Sequence, residues 1–304
     1  MNAYIKYTKF ILLFVFLVII AGSVVRTTQS GMGCPDWPHC YGRLIPPSSV
    51  NDLPPDYRKY LDKQDIDMEY NPVHAWVEYI NRLITGALGI LLVVHVGWTF
   101  KKFFSSRQSI CWLSCLFLVG TLFEAWLGKL VVDTNLAVVK ITLHMLGALF
   151  LALIPVLILH KLDNNKPIHD KGLAILTTTA LIVLLLQIII GTDVREQVDE
   201  ISKALNYEQR DTWLAQLNTI FDVHRIVAVA TSLLVIFIFW RSLSHAALQK
   251  KALFLLLTVL LTAAAGFLMA SLNIPAFIQP VHLLLSSVLF ISLFAYRLTL
   301  KKQQ

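Results

Sequence analysis

Asp222-Val223-His224-Arg225 and Gln279-Pro280-Val281-His282 each set a histidine near the start of a long apolar run. Earlier in the chain, Glu78-Tyr79-Ile80-Asn81-Arg82 and Thr142-Leu143-His144 stand in the same order, with an asparagine where the first histidine would be. Their surroundings repeat as well. Gly22-Ser23-Val24-Val25-Arg26 matches Gly191-Thr192-Asp193-Val194-Arg195 as Gly-x-x-Val-Arg. Sixteen positions separate Gly128 from His144, as they separate Gly266 from His282. Agreement at several points in one order marks a duplicated unit.

Composition says what kind of unit this is. The 304 residues are 56% hydrophobic and 15% charged, with a mean hydropathy of +0.65, which is too apolar for a soluble domain. Apolar stretches near 9–25, 77–100, 110–131, 139–160, 173–192, 222–240, 251–271 and 278–297 are each long enough to cross a bilayer as a helix. The first has a short basic start and Ala21-Gly22-Ser23 after it, as a signal peptide does. Its length and the polytopic chain that follows predict a retained helix instead.

The net charge of +7 does not indicate a nucleic-acid partner. Lys6 and Lys9, then Lys101, Lys102 and Arg107, then Lys161, Lys166 and Lys171, then Arg241, Lys250 and Lys251, then Arg297, Lys301 and Lys302 gather at the N-terminus, at every second connection and at the C-terminus. The positive-inside rule then puts both termini in the cytoplasm of a multi-pass protein of the cell inner membrane. Four helices separate the repeated features, so both copies share one orientation. The expected fold is all-α, with eight spans as two tandem, pseudo-symmetric four-helix bundles. Residues 1–160 form the first, 161–172 a cytoplasmic linker and 173–304 the second.

Spans two, four, six and eight start outside and run inward, which sets Asn81, His144, His224 and His282 about one turn below the outer surface. Histidines facing each other across a bundle clamp haem iron from both sides. His224 and His282 satisfy that requirement, whereas the first half keeps only His144. His95, His160, His169 and His245 lie toward the cytoplasm and read as structural. Arg82 and Arg225 follow the ligand positions, while Arg26 and Arg195 end spans one and five. Each can bind a haem propionate or anchor a loop. Glu78 sits three residues before Asn81 and so shares its face. A carboxylate beside a haem edge can move protons, or it can simply pair with Arg82. Glu124 is a second intramembrane acid of the first half and a weaker candidate.

Cys34 and Cys40 lie in the large outer loop 26–76, where oxidising conditions allow a disulfide. With His39 nearby, a zinc site is the alternative. Cys111 and Cys115, one turn apart in span three, read as small buried hydrophobes. In the other large outer loop, 193–221, the stretch from Val198 to Leu217 reads as partly helical and amphipathic, lying over the bundle or on the membrane surface.

Thr28-Gln29-Ser30-Gly31-Met32-Gly33-Cys34-Pro35-Asp36-Trp37-Pro38-His39-Cys40-Tyr41-Gly42 resembles the first outer loop of haem A synthases. Glu78-Tyr79-Ile80-Asn81-Arg82 is similar to that family's Glu-x-x-His-Arg. His144, His224-Arg225 and His282 fall where it has its other histidines. The resemblance covers essentially the whole chain. It implies oxidation of a methyl group of haem O to the formyl of haem A, by successive hydroxylations, for respiratory terminal oxidases. It further implies a bis-histidine haem b on His224 and His282, a substrate half with His144 on iron and Glu78 as the essential acid, and a Cys34–Cys40 disulfide. The partners implied are haem O and its synthase, an electron donor such as a quinol or a ferredoxin-like protein, the lipid bilayer and, in some settings, further copies of the chain. Asn81 departs from the family's histidine, Glu124 stands where relatives often carry glutamine, and a second cysteine pair is missing. The alternatives are a non-catalytic cytochrome b relaying electrons from quinol and a haem-handling assembly protein.

Overall fold

The computed structural model describes residues 1–62, 69–134, 138–164 and 167–301. Lys166 and Lys302 of the basic clusters, with residues 165–166 of the expected linker, lie outside these. Eight helices are long and apolar enough to cross a membrane. They are Asn2–Thr27, Pro72–Phe103, Gln108–Asp133, Val139–Leu162, Lys171–Ala204, Thr219–Ser242, Ala246–Ser271 and Ile278–Leu298, here spans one to eight. Hydrocarbon offers backbone groups no partner, so a helix that satisfies its own N–H and C=O groups is the available solution. The chain is an all-α multi-pass membrane protein. Leu13, Ile90, Trp112 and Phe267 turn outward and are exposed, while Thr8, His95, Thr99 and Ser114 are buried. This inversion of the soluble pattern suits lipid as the outer solvent.

Met1–Leu162 and Asp163–Gln304 are two compact units. In the first, span one packs on two, two on three, three on four and four back on one. In the second, spans five, six, seven and eight close in the same order. Each unit is thus a ring of four helices.

Local chemistry sets the helix ends. Span two starts with Pro72, whose missing N–H costs nothing in a first turn, behind Asn71, whose side chain accepts from the N–H groups of Val73 and His74. Span five starts behind Asp170, which accepts from the N–H of Leu173. That bond holds the Asp170 carboxyl below the usual carboxylate range, assisted by His245 and Arg241. Span four is not continuous. It consists of Val138–Leu151 and Leu153–Leu162, with a turn at Ala152. Pro155 explains the break, because it has no N–H for the carbonyl of Leu151 and its ring crowds that carbonyl.

The stretch from Val198 to Leu217 is partly helical, as expected, and its helical part is the end of span five followed by short 3-10 turns. Span five runs unbroken to Ala204, since no proline and no further glycine follows Gly191 before that residue. At 1.5 Å per residue its 34 residues extend about 51 Å, beyond a hydrocarbon core of about 30 Å. Val198, Ile201 and Leu205 of the projecting end are covered by Trp213, Leu214 and Leu217 of the returning chain and by Ile274. The expected linker also has structure of its own. Ile168-His169 forms a short parallel strand pair with Leu300-Lys301.

His95 is structural, as expected. Its Nε2 lies 3.1 Å from Thr8 Oγ1 and its Nδ1 lies 2.7 Å from Ser114 Oγ. Tyr4 stacks on the ring and bonds Thr99. Both ring nitrogens are therefore satisfied by hydroxyls inside the first unit.

Candidate functional site

In the first unit the site is built where the Cys34–Cys40 loop lies on the start of span two. The two cysteines are bonded to each other, which removes them as zinc ligands. Among the described residues, no cluster of three or more His, Cys, Asp or Glu could hold a metal ion by itself. Cys34, Cys40, Tyr41, Tyr70 and Ala75 form a small apolar core, with Tyr57, Tyr60 and Tyr79 packed against it. The Tyr70 hydroxyl donates to the Pro47 carbonyl, and burial pushes its phenol up to about 12. The Asp36 carboxylate closes the loop by accepting from the N–H groups of Tyr41 (2.6 Å) and Gly42 (2.7 Å).

Gly33 lets this loop approach span two. A Cβ there would fall inside the van der Waals radius of the His74 carbonyl, so only glycine permits the contact. The approach brings the loop backbone onto Glu78, which is 3% exposed. Oε2 of Glu78 accepts from the Cys34 N–H at 2.7 Å, and Oε1 is ion-paired with Arg82. Arg82 also donates to the carbonyls of Cys34 (2.6 Å) and His39 (2.9 Å). Both carboxylate oxygens are thus held by fixed donors, as a positioned charge requires. Arg82 is committed to Glu78 and the loop, the pairing weighed against its other readings above.

One turn further along, Asn81 presents a buried Oδ1 without a hydrogen-bond partner. His144 is the seventh residue of Val138–Leu151 and faces Gly128, where an added Cβ would meet its Cε1 at 3.6 Å. Its Nδ1 lies 2.6 Å from Oε2 of Glu124, close enough for an ion pair but without the alignment of a hydrogen bond.

In the second unit, His224 is the sixth residue of its helix and His282 the fifth of its own. Both imidazoles lie against glycine backbone. A Cβ at Gly191 would meet His224 Cε1 at 3.0 Å, and one at Gly266 would meet His282 Cε1 at 3.2 Å. The Nδ1 of His282 is 3.1 Å from the Thr262 carbonyl. A carbonyl only accepts, so Nδ1 carries the proton and Nε2 keeps its lone pair for a metal. Gln187 donates to the His224 carbonyl at 2.9 Å, with its amide nitrogen 3.1 and 3.3 Å from the two ring nitrogens. Two imidazoles in glycine cradles, one with its Nε2 lone pair left free, have the chemistry of residues that would hold a haem iron.

The arginines differ in what they touch. Arg195 pairs with Asp199 at 2.7 Å. Arg225 is two-thirds exposed, stands 3.6 Å from Asp222 and lies over the Phe221 ring. Arg26 belongs to the last turn of span one.

The sequence profile of the cytochrome oxidase assembly proteins matches residues 6–294. The chain belongs to that family. Relatives of this family member include the Heme A synthase of Shewanella oneidensis, 32% identical over 59% of this chain. The chain spans about half of that relative, 53% of its length. The Heme A synthase of Lysinibacillus sphaericus is 23% identical over 90% of this chain and 87% of its own. That of Halalkalibacterium halodurans is 24% identical over 50% and 44%.

Gln187 was not foreseen as a site residue. Its signal was present, since it is the one polar side chain in Ile182-Val-Leu-Leu-Leu-Gln187-Ile-Ile-Ile190, and a polar residue inside a span is a candidate by default.

Proposed function

We propose that this family member is a haem A synthase, oxidising the methyl group of haem O to the formyl of haem A. The observation that carries the reading is the asymmetry between the units. The second has two histidines in glycine cradles, whereas the first has one histidine, an asparagine in the other ligand position and a buried carboxylate one turn away. His224 and His282 would together hold a haem b, which would supply single-electron transfer. A single histidine suits a substrate haem whose other face is open. Methyl to formyl is a four-electron oxidation; with dioxygen as the oxidant, each of two hydroxylations at one carbon would consume one O2, two electrons and two protons and release one water, and the resulting diol would lose water to leave the formyl group.

The chain's own residues then have separate tasks. His144 holds the substrate iron, and Glu78 takes or supplies protons at the substrate edge. The disulfide loop and Arg82 keep Glu78 in place and keep water from its two oxygens. Arg225, and with it Arg26 and Arg195, supply positive charge for propionates at the loop-bearing ends of the units. Basic residues at the opposite ends place both termini in the cytoplasm and the haem sites toward the outer face. A relay cytochrome b would need His224 and His282 but has no use for a doubly held Glu78.

Co-expression with a source of haem O tests the reading, with pigments extracted and separated. Formyl haem should accumulate only in cells carrying both. Haem O left unchanged beside a normal low-spin b spectrum would put the relay cytochrome in its place.

The loop contact yields a second expected result. Gly33→Ala should leave Cys34 and Cys40 bonded in mass spectra of unreduced peptides, yet lower haem A formation. Overpacking against the His74 carbonyl costs about 1–3 kcal/mol, and moving a reacting group by about 1 Å can cost on the order of a hundredfold. Full activity in Gly33→Ala would mean that loop docking does not set the position of Glu78.

A further inference from the structure

We infer that Glu124 is a positioning residue for His144, making that histidine a strongly electron-donating axial ligand where its repeat counterpart is an ordinary one. The inference rests on the reading above that His144 holds the substrate iron.

The repeat supplies the comparison. The spacing that carries Gly128 to Gly266 and His144 to His282 carries Glu124 to Thr262 and Gly147 to Leu285. In the second unit, the backbone carbonyl of Thr262 faces Nδ1 of His282 at 3.1 Å. In the first, the carboxylate of Glu124 faces Nδ1 of His144 at 2.6 Å. One position on the neighbouring helix therefore serves the second ring nitrogen in both units, with a neutral acceptor in one and an acidic side chain in the other.

Space has been cleared for the acid. A Cβ at Gly147 would overlap the Glu124 carboxylate, whereas the equivalent Leu285 has no acid to accommodate. Glu124 is buried, 9% exposed, and neither its Oε2 nor Nδ1 of His144 has any hydrogen-bond partner. Lys129, on the same helix, is taken by Asp133 at 2.6 Å. A buried carboxylate without a partner is costly, and here the atom it faces is the free nitrogen of the proposed ligand.

The chemical consequence follows from outer-shell partnership. A carboxylate 2.6 Å from Nδ1 would, on aligning to accept its proton, draw that proton toward itself and raise the donor strength of Nε2. Electron density pushed onto the iron by its histidine would favour oxygen chemistry there, and the Asn81 amide is a poor ligand to compete for the iron. In the second unit the weaker carbonyl leaves His282 suited to reversible electron transfer.

The test uses the full chain co-expressed with a haem O source, reduced and studied by resonance Raman spectroscopy and redox titration. An iron–histidine stretching band comes from five-coordinate ferrous haem, so a bis-histidine haem in the second unit stays silent. Glu124→Gln should move that band to lower frequency and raise the midpoint potential of the same haem, and Glu124→Asp should fall between. Gly147→Ala, which crowds the carboxylate aside, should shift both readings in the same direction as Glu124→Gln. A merely structural role would leave band and potential in place, and parental values in haem-retaining Glu124→Gln or Gly147→Ala overturn the inference. A parent protein with no such band, or one whose band survives His144→Ala, overturns instead the assignment of His144 as the substrate ligand, and the inference with it.

Discussion

Glu78→Gln is expected to lower haem A formation by on the order of 10²- to 10⁴-fold, the usual contribution of a positioned general acid or base, while the second unit's haem b spectrum stays intact. The substitution is close to a pure charge test. Glutamine has nearly the same volume, and its carbonyl oxygen can still accept from the Cys34 N–H or from Arg82, the partners that hold Glu78 now. The loop should therefore remain docked, and the disulfide should be found bonded as in the parent. What disappears is a group able to exchange a proton. His144→Ala should abolish product by another route, removing the ligand that positions the substrate. Parental rates of haem A formation in both variants would sink the assignment of the first unit as the substrate site.

The second large effect belongs to the other unit. His224→Ala and His282→Ala should each remove the low-spin b-type spectrum of the purified protein, because one imidazole alone leaves the iron five-coordinate. The glycine cradles make a substitute ligand difficult. Gly191 and Gly266 are within close contact of the imidazoles they face; alanine at 282 leaves a gap bordered by glycine backbone and the Thr262 carbonyl, and alanine at 224 one bordered by glycine backbone and the Gln187 amide, a poor iron ligand. Turnover should fall with the spectrum, since the substrate oxidation needs a supply of electrons. Retention of the low-spin spectrum by both single variants would show that the haem is held elsewhere.

Much of this was legible in the residues. The spans follow from long apolar runs with few polar interruptions, and the three histidines stood out because the glycines sixteen residues before His144 and His282 repeat with them. Those glycines turn out to be the surfaces that two of the imidazoles touch. Where the reading failed, it failed at boundaries that hydropathy does not encode. Span five continues beyond its apolar run because nothing stops the helix before Ala204, and Val198 and Ile201 find cover from Trp213 and Leu214. Span four breaks at Ala152 although its hydropathy is unbroken, and Pro155 was the available sign. The contact of Glu124 with His144 joins two helices, and a single chain read along its length does not show which faces meet. The pairing of Glu78 with both Arg82 and the Cys34 backbone depends on a loop whose approach is permitted by Gly33, a residue with no chemistry of its own.

The strand pair between Ile168-His169 and Leu300-Lys301 also bears on how such a chain could arise and be engineered. It brings the first and last described stretches of the second unit side by side, so the polypeptide enters and leaves that ring at one place. A module with adjoining ends can be copied head to tail with only a short joint, and can be cut and rejoined elsewhere without rethreading its helices. A circular permutant that links residue 301 back to residue 168 and opens the chain between spans six and seven should therefore keep the four-helix ring, and a reporter fused directly after residue 301 would emerge beside the joint rather than across the bilayer from it.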